Sequence, residues 1–286
     1  MTAWEVPVNP LVRRRLGHEL RRLREAAHLT CEEVATTLEC SASKISRIET
    51  GRVTVSPRDV RDLLRIYGVP DDQRDSLIQL ARDARQKGWW HAHADAVEPY
   101  LTTYLGLEQA ASEIRIYCVS AMSGLLLTEE YARLSMTAGR AVIERPRPTD
   151  EMVGLLMERQ SRARESPPQL WVVLGEAVLR RRVGGREVMR RQIEHLIELS
   201  SRPEVCLQVM PFIGGLHMLL DASFTIMAFP DPADPDIPIV FYPTGMLWIE
   251  DIAEVGQYNS LFRHLQATSL SPNDSVALMA SALKEL

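Results

Sequence analysis

From residue 11 into the mid-80s, apolar residues recur every three or four positions, and polar punctuation breaks the run into short helices. In LVRRRLGHELRRLREAAHL, Leu16, Leu20 and Leu23 fall on one face while arginines take much of the remainder, the pattern of an amphipathic helix. Thr30 and Glu33 form the T-x-x-E of a capping box. They predict a second helix, CEEVATTLE, with Val34 and Leu38 one turn apart. Ser41 opens a third helix with Ile45 and Ile48 directed inward, and Gly51 follows where the chain leaves it with positive φ. Ser56-Pro57, a cap and then proline at the first helical position, begins a fourth helix. That helix buries Val60, Leu63, Leu64 and Tyr67 and stops at Gly68. A fifth runs from Asp71-Asp72, acidic where the helix dipole favours it, to about Lys87.

After Gly88 the pattern changes. GWWHAHADAVEPY (88–100) is aromatic and aperiodic, and reads as a packed connector. Helical spacing returns over about 103–118, 126–140 and 149–164. Beyond Pro167-Pro168, LWVVL, VCLQVMPF, SFTIMAF, IPIVFYP and MLWIED are short apolar runs separated by Pro, Gly and Asp, as strands are. One amphipathic helix, REVMRRQIEHLIELSSR, lies among them, and two close the chain over about 251–267 and 272–285. The aromatics of this region (Trp171, Phe212, Phe224, Phe241, Tyr242, Trp248) read as core, with a ligand pocket as the alternative.

Composition narrows the classes. With 45% hydrophobic and 25% charged residues the chain is of ordinary globular type. No stretch is apolar enough to span a membrane, and the N-terminus lacks a secretory pattern, so a cytoplasmic protein is expected. The net charge of −5 divides unevenly: 16 Lys+Arg against 13 Asp+Glu up to residue 88, and 17 against 25 after it. A basic module joined to an acidic domain is compatible with nucleic-acid binding by local charge. Cys31, Cys40, Cys118 and Cys206 have no metal-ligand spacing. They read as ordinary thiols, with a Cys31–Cys40 redox pair as a minor alternative.

The informative stretch is LTCEEVATTLECSASKISRIETGR (29–52). Two short helices joined tightly allow one to rest across the DNA backbone while the next enters the major groove. Ala35 is small where the helices meet. The outward face of the third helix is then Ala42, Ser43, Lys44, Ser46 and Arg47, side chains that are short or basic. Arg47 suits a bidentate contact to guanine, Ser43 and Lys44 suit other base edges, and Ala42 a thymine methyl. Ser41, Thr30 and Arg52 suit phosphates. The alternative for Lys44 and Arg52 is an ordinary solvated charge, and for Arg13-Arg14-Arg15 either that or an N-terminal arm near phosphate.

L-T-x-E-E-V-A at 29–35 and S-x-S-K-I-S-R-I-E-x-G at 41–51 resemble the lambda-repressor/Cro-like (XRE) helix-turn-helix family, over about residues 13–68. The family commonly has a phosphate-touching Gln where this chain has Cys31. The resemblance also implies a structural ion pair between Arg24 and Glu49. Further stretches, among them GWW (88–90), SGLLLTEEYAR (123–133), ERQSRAR (158–164) and LQVMPFIGGLHMLLDASFTIM (207–227), resemble actinobacterial, especially streptomycete-type, regulators. Those carry an XRE head and a C-terminal domain of unknown function. Many read P-G-L-L-Q-T where this chain has Ser123 to Thr128, which would alter specificity if that loop meets a partner.

The expected fold is thus mainly α with a mixed α+β C-terminal part. It comprises a five-helix helix-turn-helix domain at 1–87, a connector at 88–102 and an α+β regulatory and dimerisation domain at 103–286. The expected function is sequence-specific, DNA-binding transcription regulation by a homodimer on a palindromic duplex operator. The C-terminal domain would sense a small partner protein or effector. The alternative is an antitoxin-like or anti-regulator-like interaction protein whose main role is holding a small partner. No catalytic constellation, cofactor motif or metal site is legible: His91 and His93 lack a third ligand, and Ser123-Gly124 and Gly184-Gly185 read as plain loops. Glu176 with Arg180 to Arg182 reads as an ion-pairing surface.

Overall fold

The computed structural model describes residues 10–51, 53–85, 88–93, 97, 99–140, 148–214, 222–242 and 245–286. The chain divides into two compact units, one of residues 1–92 with 97–110 and the other of residues 93–96 with 111–286.

The N-terminal unit contains α1 (Pro10–Ala26), α2 (Cys31–Thr37), α3 (Ala42–Glu49), α4 (Pro57–Ile66), α5 (Asp71–Asp83) and α6 (Pro99–Ala110). The starts of α2, α3 and α4 follow from hydroxyl caps. Thr30, Ser41 and Ser56 each accept a hydrogen bond from the backbone N–H three residues on, pairing a donor that the helix itself leaves open. Leu16, Leu20, Val34, Ile45, Val60 and Leu64 lie at the centre of one core and are at most 1% exposed. Helix α5 ends at Asp83 with Ala84 as its cap, short of the expected Lys87, which lies outside the described residues. Its apolar face of Leu77, Ile78, Ala81 and Ala84 is used up at that point.

The expected helix over 103–118 is in fact two elements. Helix α6 ends at Ala110, and Glu113–Cys118 is the strand β1. The strand signal is the alternation of EIRIYC: Ile114 and Ile116 are buried, while Glu113 and Arg115 are half-exposed. Two isoleucines at a spacing of two fit a pleat better than a helix. Helix α6 packs on α1 and belongs with the N-terminal unit.

The C-terminal unit is built on a six-stranded mixed sheet in the order β3-β2-β1-β4-β5-β6. The other strands are β2 (Gln169–Gly175), β3 (Val205–Met210), β4 (Phe224–Ala228), β5 (Ile237–Tyr242) and β6 (Gly245–Trp248). Strands β1, β2 and β3 run parallel, and β4, β5 and β6 follow as antiparallel neighbours. Parallel neighbours need crossovers. These are α7 (Glu129–Arg140) with α8 (Thr149–Glu165), then α9 (Ala177–Arg180) with α10 (Arg186–Leu199). Helices α11 (Ile252–Thr268) and α12 (Pro272–Glu285) close the chain. Ile116, Val172 and Leu207 face a core shared with α7 to α10 and α12, whereas Tyr117, Val173 and Met210 face Phe262 and Leu265 of α11. Burial on both faces explains why LWVVL is a continuous apolar run.

Two buried amides hold the Ser123–Thr128 segment. Gln160 donates to the carbonyls of Gly124 and Leu127, both at 2.8 Å. Gln192 donates to the Leu126 carbonyl at 2.7 Å and accepts from the Thr128 N–H and hydroxyl. Leu125, Leu126 and Leu127 are all buried. The departure from P-G-L-L-Q-T at Leu127 therefore falls in the core, not on a partner-facing loop.

The two edges of the sheet differ. On β3, the Val209 carbonyl accepts from the Leu270 N–H at 3.0 Å and the Val209 N–H donates to Ser275 Oγ at 2.8 Å. Strand β6 has no neighbour beyond it among the described residues, and Leu247 on it is 56% exposed. The expectation that all six aromatics are core is corrected here. Phe224 is buried and Trp171 and Trp248 are half-buried, but Phe212, Phe241 and Tyr242 are exposed. The last two lie on β5 next to the open edge.

Candidate nucleic-acid interface

Helix α2 leads into α3 through Leu38, Glu39 and Cys40. Glu39 adopts a left-handed conformation with φ of 51°, and the Cys40 N–H reaches back to the Ala35 carbonyl at 2.9 Å. This closes α2 with a tight turn of the kind more often made by glycine. Ser41 then caps α3, accepting from the Lys44 N–H at 3.2 Å.

Three residues orient α3 from within. Ile45 and Ile48 enter the core, and Glu49, 5% exposed, meets Arg24 of α1. Arg24 donates from Nε and Nη2 to the two carboxylate oxygens of Glu49 at 2.6 and 2.9 Å, and from Nη1 to the Leu29 carbonyl at 2.6 Å. The fork geometry fixes α1, α3 and the start of α2 against one another. The Glu49 carboxylate raises the guanidinium pKa of Arg24 still further. Gly17 lets α1 approach α3 closely, because a Cβ there would stand 2.6 Å from the carbonyl oxygens of Ile48 and Glu49.

With that side occupied, α3 turns Ser43, Lys44, Ser46 and Arg47 to solvent, with Ser41 exposed just before them. Arg47 donates from Nε to the Ser43 carbonyl at 3.3 Å. That contact engages Nε, and the side chain as a whole stays exposed. Lys44 is an ion-pair partner as well as a candidate contact: its ammonium stands 3.5 Å from Asp59 on α4. Both side chains are well exposed, and such pairs contribute at most about 1 kcal/mol, little enough for a phosphate or base to replace. Asp59 has no counterpart in the sequence expectation, since charge spacing across separate helices carries no readable signal.

The remaining expected contacts are less uniform. Ala42 is half-buried and packs against the core, so its methyl is the least available of the set. At Thr30, both the N–H and the hydroxyl donate to the Glu33 carboxylate, at 2.8 and 3.0 Å. A phosphate would have to compete with that box. Arg52 lies outside the described residues. Arg13, Arg14 and Arg15 are within α1, with Arg13 only 8% exposed, which is a helix and not a free arm.

Cys31, at the position where Gln is common, turns its sulfur inward to 4.0 Å from Glu49 Oε2. Burial, and then the Glu49 charge, push its thiol pKa up. A protonated thiol is a poor nucleophile, and Cys31 and Cys40 are both free.

Elsewhere, His93 Nε2 pairs with Glu158 at 2.8 Å. Among the described residues no three His, Cys, Asp or Glu side chains stand together as a metal site would need. No described helix is long and apolar enough to cross a membrane.

Comparison with known families gives two matches along the chain. Residues 15–77 match a helix-turn-helix domain, which marks the chain as a DNA-binding regulator. No curated protein and no solved structure matches it. Residues 101–281, well over half of the chain, match the domain of unknown function DUF5753, and to that family, behind an N-terminal helix-turn-helix domain, the chain belongs.

Proposed function

We propose that this chain is a sequence-specific transcription regulator of the XRE (Cro/C1) type, without enzymatic activity, working in the cytoplasm of an actinobacterium. It binds a palindromic duplex operator as a homodimer. Helix α3 enters the major groove, Arg47 reads a base edge, and Ser43, Lys44 and Ser46 line the rest of the contact. Ser41, Thr30 and Arg52 approach phosphates. The C-terminal unit senses a small partner protein or effector.

The observation that carries this reading is the division of α3 itself. Ile45, Ile48 and Glu49 are buried, and every described side chain on the opposite face is a small hydroxyl or a cation. Such a face can lie close to base edges without a bulky apolar group in the way. The β6 edge, without a neighbour among the described residues, supports the homodimer, because two copies can pair like strands about a two-fold axis.

Footprinting and binding titrations on a selected operator test the proposal. Wild type should protect two half-sites about one helical turn apart. Arg47→Ala should lose about 1–3 kcal/mol on that operator and relax preference at one base pair. Equal weakening on operator and random DNA would overturn the base-reading role of Arg47. A wild type with no preferred site would overturn the regulator itself.

A further inference from the structure

The C-terminal unit is acidic overall, yet its basic residues are not spread evenly. Residues 176–191 hold six arginines, Arg180, Arg181, Arg182, Arg186, Arg190 and Arg191, against only Glu176 and Glu187. All six arginines are exposed. Three are engaged: Arg180 with Glu176 and Glu285, Arg190 with Glu187, and Arg191 with Glu130 of α7. The other three, Arg181, Arg182 and Arg186, have no carboxylate partner among the described residues. They flank a turn in which Gly184 and Gly185 both take positive φ, 69° and 91°. Gly184 lies so close to the side chains of Leu134 and Val188 that a Cβ would meet them at 2.3 and 2.9 Å, so the turn leaves little room for a larger residue. Lys284, also exposed, stands on the last turn of α12, next to the Glu285 that Arg180 holds.

We infer that the Arg181–Arg182–Arg186 turn is a second DNA-docking surface, one that grips duplex phosphates without reading sequence. Three exposed guanidiniums without a carboxylate partner among the described residues, grouped about one turn, make a cationic surface in an otherwise acidic domain. Arginine is the cation whose fork matches phosphate oxygens. Helix α10 begins here at Arg186, with Gly185 as its N-cap and no side-chain cap, so its first N–H groups add to the positive potential without being needed for it. Duplex DNA is the occupant favoured over an acidic protein because the same chain carries a helix-turn-helix domain. Tethering in one chain raises the effective concentration of a bound duplex at a second cationic surface wherever the geometry lets both engage. The inference therefore rests on the DNA-binding reading above.

The test uses the full chain and compares wild type with the triple variant R181A/R182A/R186A on operator and on random duplex, across a series of salt concentrations. Each phosphate contact contributes about 0.9 to the slope of log K against log salt. The triple variant should therefore bind with a slope shallower by about 2–3, and about tenfold more weakly at low salt, on both duplexes. Its preference for operator over random DNA should be unchanged, unlike that of Arg47→Ala. R181K/R182K/R186K should restore most of the slope, which a folding defect would not allow. An unaltered slope in the alanine variant would overturn the inference. An unaltered slope together with lost binding to polyglutamate would assign the patch to an acidic protein instead. A wild type that binds no duplex at all would overturn the DNA-binding reading itself, which is a separate result.

Discussion

The N-terminal unit and the C-terminal unit solve the same problem, fixing one segment against others, with different chemistry. In the first, a bidentate ion pair between Arg24 and Glu49 holds α3 to α1. In the second, Gln160 and Gln192 hold the Ser123–Thr128 segment through neutral amides. A buried ion pair must offset the desolvation of two charges, so its net contribution is small while its loss of one partner is severe. A buried amide costs less to desolvate and loses less when removed. The charged device sits in the unit that must present α3 in one orientation, where rigidity matters most.

The comparison can be broken at its strong end first. Glu49→Ala leaves the Arg24 guanidinium nearly buried without its counter-charge, and should destabilise the N-terminal unit by about 3 kcal/mol. Native-state hydrogen exchange would locate that loss in α1 to α3, with the sheet strands keeping their protection. A loss spread evenly over both units would deny the pair its local role. Next, Gln192→Leu leaves the Leu126 carbonyl and the Thr128 N–H unpaired in the interior. It should cost about 2 kcal/mol, seen in β1, β2 and α10 but not in α1 to α3. A cost equal to that of Glu49→Ala would erase the distinction between charge and amide.

The smallest effect is expected from the His93–Glu158 pair, one of the charged contacts of the amide-held unit. The His93 hydrogen bond, followed by that of Arg162, holds the Glu158 carboxyl below its ordinary value of 4.5. A carboxyl lowered in the folded state adds stability above that ordinary value, and the gain fades as pH falls through the lowered one. Denaturant midpoints of wild type and His93→Ala should therefore differ slightly at neutral pH and converge under acid. A difference that grows on acidification would contradict the assignment.

How much of this was legible depends on the range of each interaction. The caps at Thr30, Ser41 and Ser56 are local, and hydroxyls at fixed offsets announced them. The inward Ile45 and Ile48 and the outward Ser43, Lys44 and Arg47 followed from helical period alone. The positive φ of Glu39 was hidden, because glutamate gives no hint of a left-handed turn. Gly17 was hidden as well: its need comes from the distant backbone of Ile48 and Glu49. Strand β1 was read as helix because its short alternation follows directly on an apolar helix, and only pairing with β2 and β4 distinguishes them. The RRRVGGR run was visible as charge, but which of its arginines lack carboxylate partners depends on where Glu130, Glu176 and Glu285 fold back to meet the others.

The unequal sheet edges set a limit on assembly. A strand ladder open at both sides can add copies without end, which is how fibres grow. Here residues Leu270 to Ser275 already occupy the hydrogen-bonding groups of Val209 on β3. Among the described residues, the ladder is interrupted at Val209 on β3 and lies open beside β6. Pairing of two β6 edges would consume that edge in both copies, so addition through β6 itself would stop at a pair.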